Sequence, residues 1–216
     1  MITVVIPTHQ PDIFYLRQSL LSIKGVDHII LHVNGGSIIP NDLEILEKNT
    51  IIQDNKNISC PDALNKLINC ADDGWIIPFT DDDEFYTDQL LILIEKINRG
   101  NYNDIDIINT RCLINNKKVW GDLNPTFEKL KNNNCIPFSS PYKKHVWQKI
   151  GGYHNEPCND WGFWLRALKT GFKCKSYEQP LYNFKTFNNS LFKIEAKQGI
   201  NNIKNQLLRN INAQLS

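Results

Sequence analysis

Four short apolar runs constrain this chain more than anything else in it. ITVVIP (2 to 7), HIILHV (28 to 33), TIIQ (50 to 53) and WIIPF (75 to 79) have the length of strands. Continuous apolar runs of this length suit strands buried on both faces. The segments between and after them carry apolar residues at helical spacing. Leu16, Leu20 and Ile23 form one stripe, Leu64, Leu67, Ile68 and Ala71 a second, and Leu90, Leu91, Ile94 and Ile97 a third that ends near Gly100. Strand and helix in alternation predict an α/β fold: a three-layer α/β/α sandwich around a mostly parallel central sheet.

Local signals set the expected boundaries. Pro7 stops the first strand, and Asn34-Gly35-Gly36-Ser37 ends the second. A short helix is expected from Asn41 to Lys48, with Leu43 and Leu46 inward. Ser59 or Cys60 is placed to cap the next helix, with Pro61 in its first turn, and Thr87 reads as an N-cap. The second half is less regular. IDIINT (105 to 110) predicts a strand, and residues 113 to 138 a polar, asparagine-rich stretch with a mobile loop. Tyr142 to Ile150 predicts a short helix leading into Gly151-Gly152-Tyr153, and Trp161, Trp164, Leu165 and Leu168 stripe a helix that stops at Gly171. Apolar residues at Ile200, Ile203, Leu207, Ile211 and Leu215 make the tail amphipathic. One domain over 1–190 is expected, with a helical extension over 191–216.

Several partner classes fall away on composition. The net charge is +1 over 216 residues, which gives no field to attract nucleic acid. Six cysteines include no CxxC pair and match no zinc spacing. ITVVI is already a core strand with no leader pattern before it, and no apolar run approaches the length that spans a bilayer. A reducing cytoplasm is the expected setting. The tail carries Lys193, Lys197, Lys204 and Arg209 against Glu195. Its expected destination is the core, with a second subunit or the inner face of an anionic membrane as the other two.

The chemistry concentrates at two places. WIIPF delivers Asp81, Asp82, Asp83 and Glu84 at its C-terminal end, where open α/β sheets bind ligands. Adjacent carboxylates repel one another unless a cation lies among them, and hard ions such as Mn²⁺ or Mg²⁺ bridge one or two carboxylates to phosphates. In an extended segment Asp81 and Asp83 point to the same side. The other reading is a solvated acidic turn. At NDWGFWLR, Asp160 just before an apolar helix is either a first-turn acid or a general base that takes a proton from an attacking hydroxyl. Trp161 and Trp164 read as core, and either one offers a flat face for a sugar ring.

VVIPTHQ, VNGGS, SCPDALNKLINCADDGWIIPFTDDDEF and IGGYHNEPCNDWGFWLRALKTGFKCKSYEQPLYNF, in this order over about residues 2 to 190, resemble the GT-A (Rossmann-like) glycosyltransferases of family 2. The resemblance implies an inverting transfer from a nucleotide-diphosphate sugar, with a UDP-sugar as first expectation, to a hydroxyl of a glycan or lipid-linked acceptor, with Mn²⁺ or Mg²⁺. It implies a nucleotide site at Pro7, Thr8, Asn34, Asn65, Asp81, Asp82 and Asp83. Asp83 would hold the metal, with Asp81 at the metal or its water and the ribose. It implies Asp160 as catalytic base, and Gly151, Gly152, Tyr153 and Trp161 on the acceptor side.

Four positions depart from the family pattern. Asn34 stands where an Asp is usual, so the base is read by a weaker acceptor. Asn159 replaces the Glu before the base. Lys185 and Phe187 stand in YNFKTFNNS, which is similar to a segment that often reads Arg-x-His. Phe187 cannot ligate a metal, which leaves Asp83 alone or assisted by another group such as His145 or His154. A sugar-nucleotide nucleotidyltransferase is the second enzyme reading, although IPTHQPDIF lacks the Gly-rich basic loop that such chemistry needs. A non-catalytic module that binds a nucleotide-sugar or a protein is the third.

Overall fold

The computed structural model describes residues 1–36, 49–187 and 199–213. Its strands are β1 (Ile2–His9), β2 (His28–Asn34), β3 (Asn49–Gln53), β4 (Trp75–Pro78), β5 (Glu84–Phe85), β6 (Ile107–Ile114), β7 (Lys118–Trp120), β8 (Tyr142–Lys143) and β9 (Cys174–Phe184). The helices are α1 (Ile13–Ser22), α2 (Cys60–Cys70), α3 (Thr87–Asn98), α4 (Phe127–Leu130), α5 (Lys144–Ile150), α6 (Asn159–Thr170) and α7 (Ile200–Ala213). The helix expected over 41–48 lies outside the described residues.

The strands form one sheet in the order β3-β2-β1-β4-β8-β6-β9-β5, with β7 paired to β6. β3, β2, β1 and β4 are parallel neighbours, and β6 and β9 are parallel to each other. β8 runs antiparallel to both β4 and β6, so β6 and β9 point the same way as β4. The expected mostly parallel sheet is present, with α1 and α3 supplying Leu16, Leu20, Leu90 and Leu93 to the core on one face. α2, α6 and α7 supply Leu64, Leu67, Trp161, Trp164 and Leu207 on the other.

The termini of these helices follow from local chemistry. The Asp12 side chain accepts from Phe14 N–H at the start of α1. Ser59 accepts from Asp62 N–H at the start of α2, whose Pro61 needs no donor there. α6 ends at Gly171, left-handed at φ 93°. In α7, Ile203, Leu207 and Ile211 are buried against the α2–α6 face. Each contributes about 2 kcal/mol relative to exposure. Over 200–213 the tail therefore packs on the core.

The structure corrects four boundaries. β1 continues through Pro7 to His9 because β4 ends at Pro78 and pairs no further than Val5. The bond that a proline cannot make would have pointed past the end of that neighbour. Thr87 does not cap α3; the cap position is Tyr86, and Thr87 donates its hydroxyl to Ser22 O instead. The expected helix from Tyr142 begins only at Lys144, because Tyr142 pairs with Ile76 and Ile107 in the sheet. Residues 113 to 138 are not a bare loop. They include the β6–β7 hairpin, and α4 capped by the Thr126 hydroxyl.

Candidate functional site

The chain direction brings the two predicted centres to one edge. The acids follow the last residue of β4, at the carboxyl edge of the sheet. α6 hands over to β9, which begins opposite Ile107, the first residue of β6. The twelve residues of α6 span roughly 18 Å. Its first turn, with Asp160, therefore lies back at the carboxyl edge where Asp81 to Asp83 emerge. Thr8 and Asn34 lie there too, since β1 and β2 run side by side to His9 and Asn34.

The acidic run is sunk into this edge. Asp83 is 1% exposed. Its backbone N–H donates to Thr80 Oγ1 at 3.2 Å, and its Oδ1 accepts from Lys185 N–H at 2.8 Å. Asp81 and Asp82 are half-buried. Burial, with Asp82 alongside, pushes the Asp81 carboxyl up to about 7. Burial also raises Asp82, against hydrogen bonds from Thr80 and its own backbone and the nearby Lys185 charge. Asp83 lies well above the ordinary range, through burial first and the charge of Asp82 second. Lys185 puts its ammonium 3.3 Å from Glu84 Oε2, 3.3 Å from Gln18 Oε1 and 5.3 Å over the Tyr15 ring. The Phe187 ring packs against Tyr15 at 5.1 Å.

These acids are desolvated, the Lys185 ammonium offsets only part of their charge, and their donors are all oxygen. That set fits a hard divalent ion that takes one or two protein carboxylates and its remaining ligands from phosphate and water. It does not make an all-protein cage. Among the described residues no group of three or more His, Cys, Asp or Glu is arranged to hold a metal. His145 cannot assist. It follows β8, which pairs with the first residue of β4, and its Nε2 lies 3.1 Å from Asp106 at the amino edge. A shallow depression of about 640 Å³ between His145 and Phe172 belongs to that opposite edge, away from the acids. His154 sits 3.3 Å from Gly151 O, in the loop after α5.

The residues expected at the nucleotide have distinct environments. Thr8 is 4% exposed, and its Oγ1 has no hydrogen-bond partner within the protein. Pro7 lies one residue before it in β1. The Asn34 amide donates to Ile58 O at 2.6 Å and accepts from Ile58 N–H at 2.9 Å, so it fixes the segment before α2. Gly35 and Gly36 follow at φ 68° and 69°, and a Cβ on Gly35 would lie 3.3 Å from the His9 ring. Asn65 has a framework task. Its Oδ1 accepts from Trp147 Nε1 and Tyr153 N–H, both at 2.8 Å, and its amide donates to Tyr153 O at 2.8 Å. Asn65 thus ties α2 to the loop after α5. One amide hydrogen remains for anything else. The start of α2 already holds a carboxylate, Asp62, which accepts from the Ser59 hydroxyl at 2.7 Å.

Asp160 is half-buried in the first turn of α6, and its Oδ2 accepts from Asn134 at 2.9 Å. The backbone before it is unusual, with Cys158 left-handed at φ 48°. Gly151 is exposed and Gly152 buried, at φ 77° and 78°. Tyr153 turns its ring into the core, stacked on Phe163 at 4.3 Å. The expectation that Trp161 offers a face to a sugar is corrected. Trp161 is 1% exposed, and its Nε1 donates to Leu130 O at 2.7 Å, which pins the indole beneath α4.

Sequence reasoning missed three parts of this region. Asn134 comes from a stretch read only as loop. Lys185 stands out in the sequence only as a departure from the family pattern, and its contacts with Asp83 and Glu84 just after β9 were not legible there. The third is a buried ion pair, Glu156 with Arg166. An arginine inside the apolar run WGFWLRAL was its one visible signal.

A three-layer sheet with acids at its carboxyl edge and a second acid opening a late helix defines a sugar-transferase type of fold, and the comparisons agree. The glycosyl transferase family 2 model matches residues 3–165. The chain belongs to that family. No curated protein matches it. Among solved structures it is similar to S. aureus TarS 1-349 in complex with UDP-GlcNAc, at TM-score 0.71 and 12% identity over 89% of this chain and 60% of that one. It is also similar to the mannosyltransferase PcManGT from Pyrobaculum calidifontis in complex with GDP-Man and Mn²⁺, at TM-score 0.67 and 11% identity over 91% and 61%. The chain thus spans about 60% of the length of these structures, and at such identity they speak to fold. No helix among the described residues is long and apolar enough to cross a membrane.

Proposed function

We propose that the protein transfers a sugar from a nucleotide-diphosphate donor to an acceptor hydroxyl with inversion. The observation that carries this reading is a chain direction that places Asp81 to Asp83 and the first turn of α6, which bears Asp160, toward the same edge of the sheet in a family 2 chain. Thr8, with its unpartnered buried hydroxyl, and the Asn34–Ile58 turn would line the nucleotide. A UDP-sugar is the first candidate donor. UDP-GlcNAc and GDP-Man, bound by the two similar structures, are the first two to try.

Asp83 and Asp81 would hold Mn²⁺ or Mg²⁺, which would offset the diphosphate charge as it departs. Asp160 accepts the proton of the acceptor hydroxyl as its oxygen bonds to the anomeric carbon and the bond to the diphosphate breaks on the opposite side. Asn134 holds the Asp160 carboxylate in place for that role. The acceptor, a glycan or lipid-linked hydroxyl, would approach over Gly151 and the 151–153 loop. Nothing in this reading calls on nucleic acid.

The test is turnover by wild type and Asp160→Asn, measured as nucleotide diphosphate released from UDP-GlcNAc and from GDP-Man with a panel of glycan acceptors. Loss of the base is expected to lower the rate by about 10²- to 10⁴-fold with donor binding intact. Equal turnover by the two proteins would remove Asp160 from the chemistry.

A further inference from the structure

The buried Glu156–Arg166 pair connects two parts of the molecule that the site description leaves separate. Arg166, on α6, donates from NH1 to Glu156 Oε1 at 2.5 Å and from NH2 to Gly152 O at 3.0 Å. Glu156 Oε2 accepts from Asn210 of α7 at 3.1 Å. The far side of the same loop is held by Asn65 through both backbone groups of Tyr153. The packing is tight: a Cβ on Gly162 would lie 2.0 Å from Glu156 Oε1 and 3.2 Å from Leu207.

We infer that Asn210, Glu156 and Arg166 form a positioning relay through which the C-terminal helix sets the loop 151–156 ahead of Asp160. The consequence for catalysis rests on the transferase reading, whereas the mechanical coupling does not. A helix held only by Ile203, Leu207 and Ile211 would need no polar contact. Here a half-buried asparagine on its inner edge reaches the carboxylate of a side chain that is 3% exposed. Burying a carboxylate is costly unless each oxygen is satisfied. Asn210 satisfies the oxygen that Arg166 NH1 does not, so Glu156 has reason to stay inward and keep Arg166 on Gly152 O. Asn210, Glu156 and Arg166 are positioning residues, for none of them has a place at the reacting atoms.

The test is hydrogen–deuterium exchange on the free 216-residue chain for wild type, Asn210→Ala and Asn210→Asp. Truncation removes the contact, and the aspartate adds a second carboxylate against Glu156. Amides of 152 to 156 are expected to exchange about tenfold faster in Asn210→Ala, an opening of about 1.4 kcal/mol by the conversion of tenfold. They should exchange faster still in Asn210→Asp, with β1 and β4 unchanged. Faster exchange confined to α7, with 152 to 156 as in wild type in both variants, would overturn the relay. A uniform rise across the sheet would also overturn it, since that signals general loosening. Exchange is read without donor or acceptor, so the result stands apart from that of the turnover test.

Discussion

Glu156 and Arg166 face each other at 2.5 Å with side chains 3% and 6% exposed, ten residues apart, where the 151–156 loop meets α6. Removing one partner strands the other charge in the core. Glu156→Gln or Arg166→Met should each lower unfolding free energy by about 3–5 kcal/mol. The double variant should recover much of that loss, because neither charge is then unpaired. Urea unfolding of the three variants checks this, and equal additivity of the two losses would contradict the coupling.

Two glycines separate a packing constraint from a backbone one. At Gly162 the backbone is helical, but an added Cβ falls 2.0 Å from Glu156 Oε1. Gly162→Ala is expected to cost about 1–3 kcal/mol by overpacking. At Gly171 nothing lies within 4 Å, and the cost comes from φ 93° alone. Gly171→Ala should cost about 1 kcal/mol. Thermal melts rank the two, and the opposite order would show that the buried pair yields more readily than the geometry implies.

Burial of Asp81 makes stability depend on pH. Its folded value of about 7 stands above its ordinary 3.8, so ionisation is disfavoured in the folded state. The linked loss of stability is absent below 3.8 and grows as pH rises toward 7. In the presence of a chelator, Asp81→Asn should melt several degrees above wild type at pH 8 and close to it at pH 4. Stabilisation by added Mn²⁺ should likewise be larger at pH 8 than at pH 5, because the ion must displace a proton. A melting difference that does not change with pH would contradict the burial argument.

Much of this fold was legible because the first half is locally consistent. ITVVIP, HIILHV, TIIQ and WIIPF are β1 to β4, and the stripes at Leu64 and Leu90 are α2 and α3. Asp83 and Asp160 stood out because each lies beside an apolar run, although a solvated turn and a first-turn acid explain them as readily. The second half hid its pairings. β8 is two residues long, and its place between β4 and β6 depends on contacts of Tyr142 with Ile76 and Ile107 far away in sequence. β9 reads as mixed polar and apolar because it takes β6 on one side and β5 on the other, with register shifts between Asn109 and Cys112. The tasks of Asn65 and Trp161 were equally invisible. An asparagine within a helix and a tryptophan near an acid look the same whether they touch ligand or framework, and here both hold framework.

The most direct measurement is calorimetric binding of UDP and GDP, each with Mn²⁺ and with chelator, to wild type and Asp83→Asn. The asparagine keeps an oxygen for Lys185 N–H and removes the charge and one acceptor oxygen. One nucleotide should bind wild type with Mn²⁺, and binding should weaken at least about tenfold, or 1.4 kcal/mol, when either the ion or the charge is taken away. Absence of binding by either nucleotide with Mn²⁺, or equal affinity in Asp83→Asn, would contradict the donor site at the end of β4.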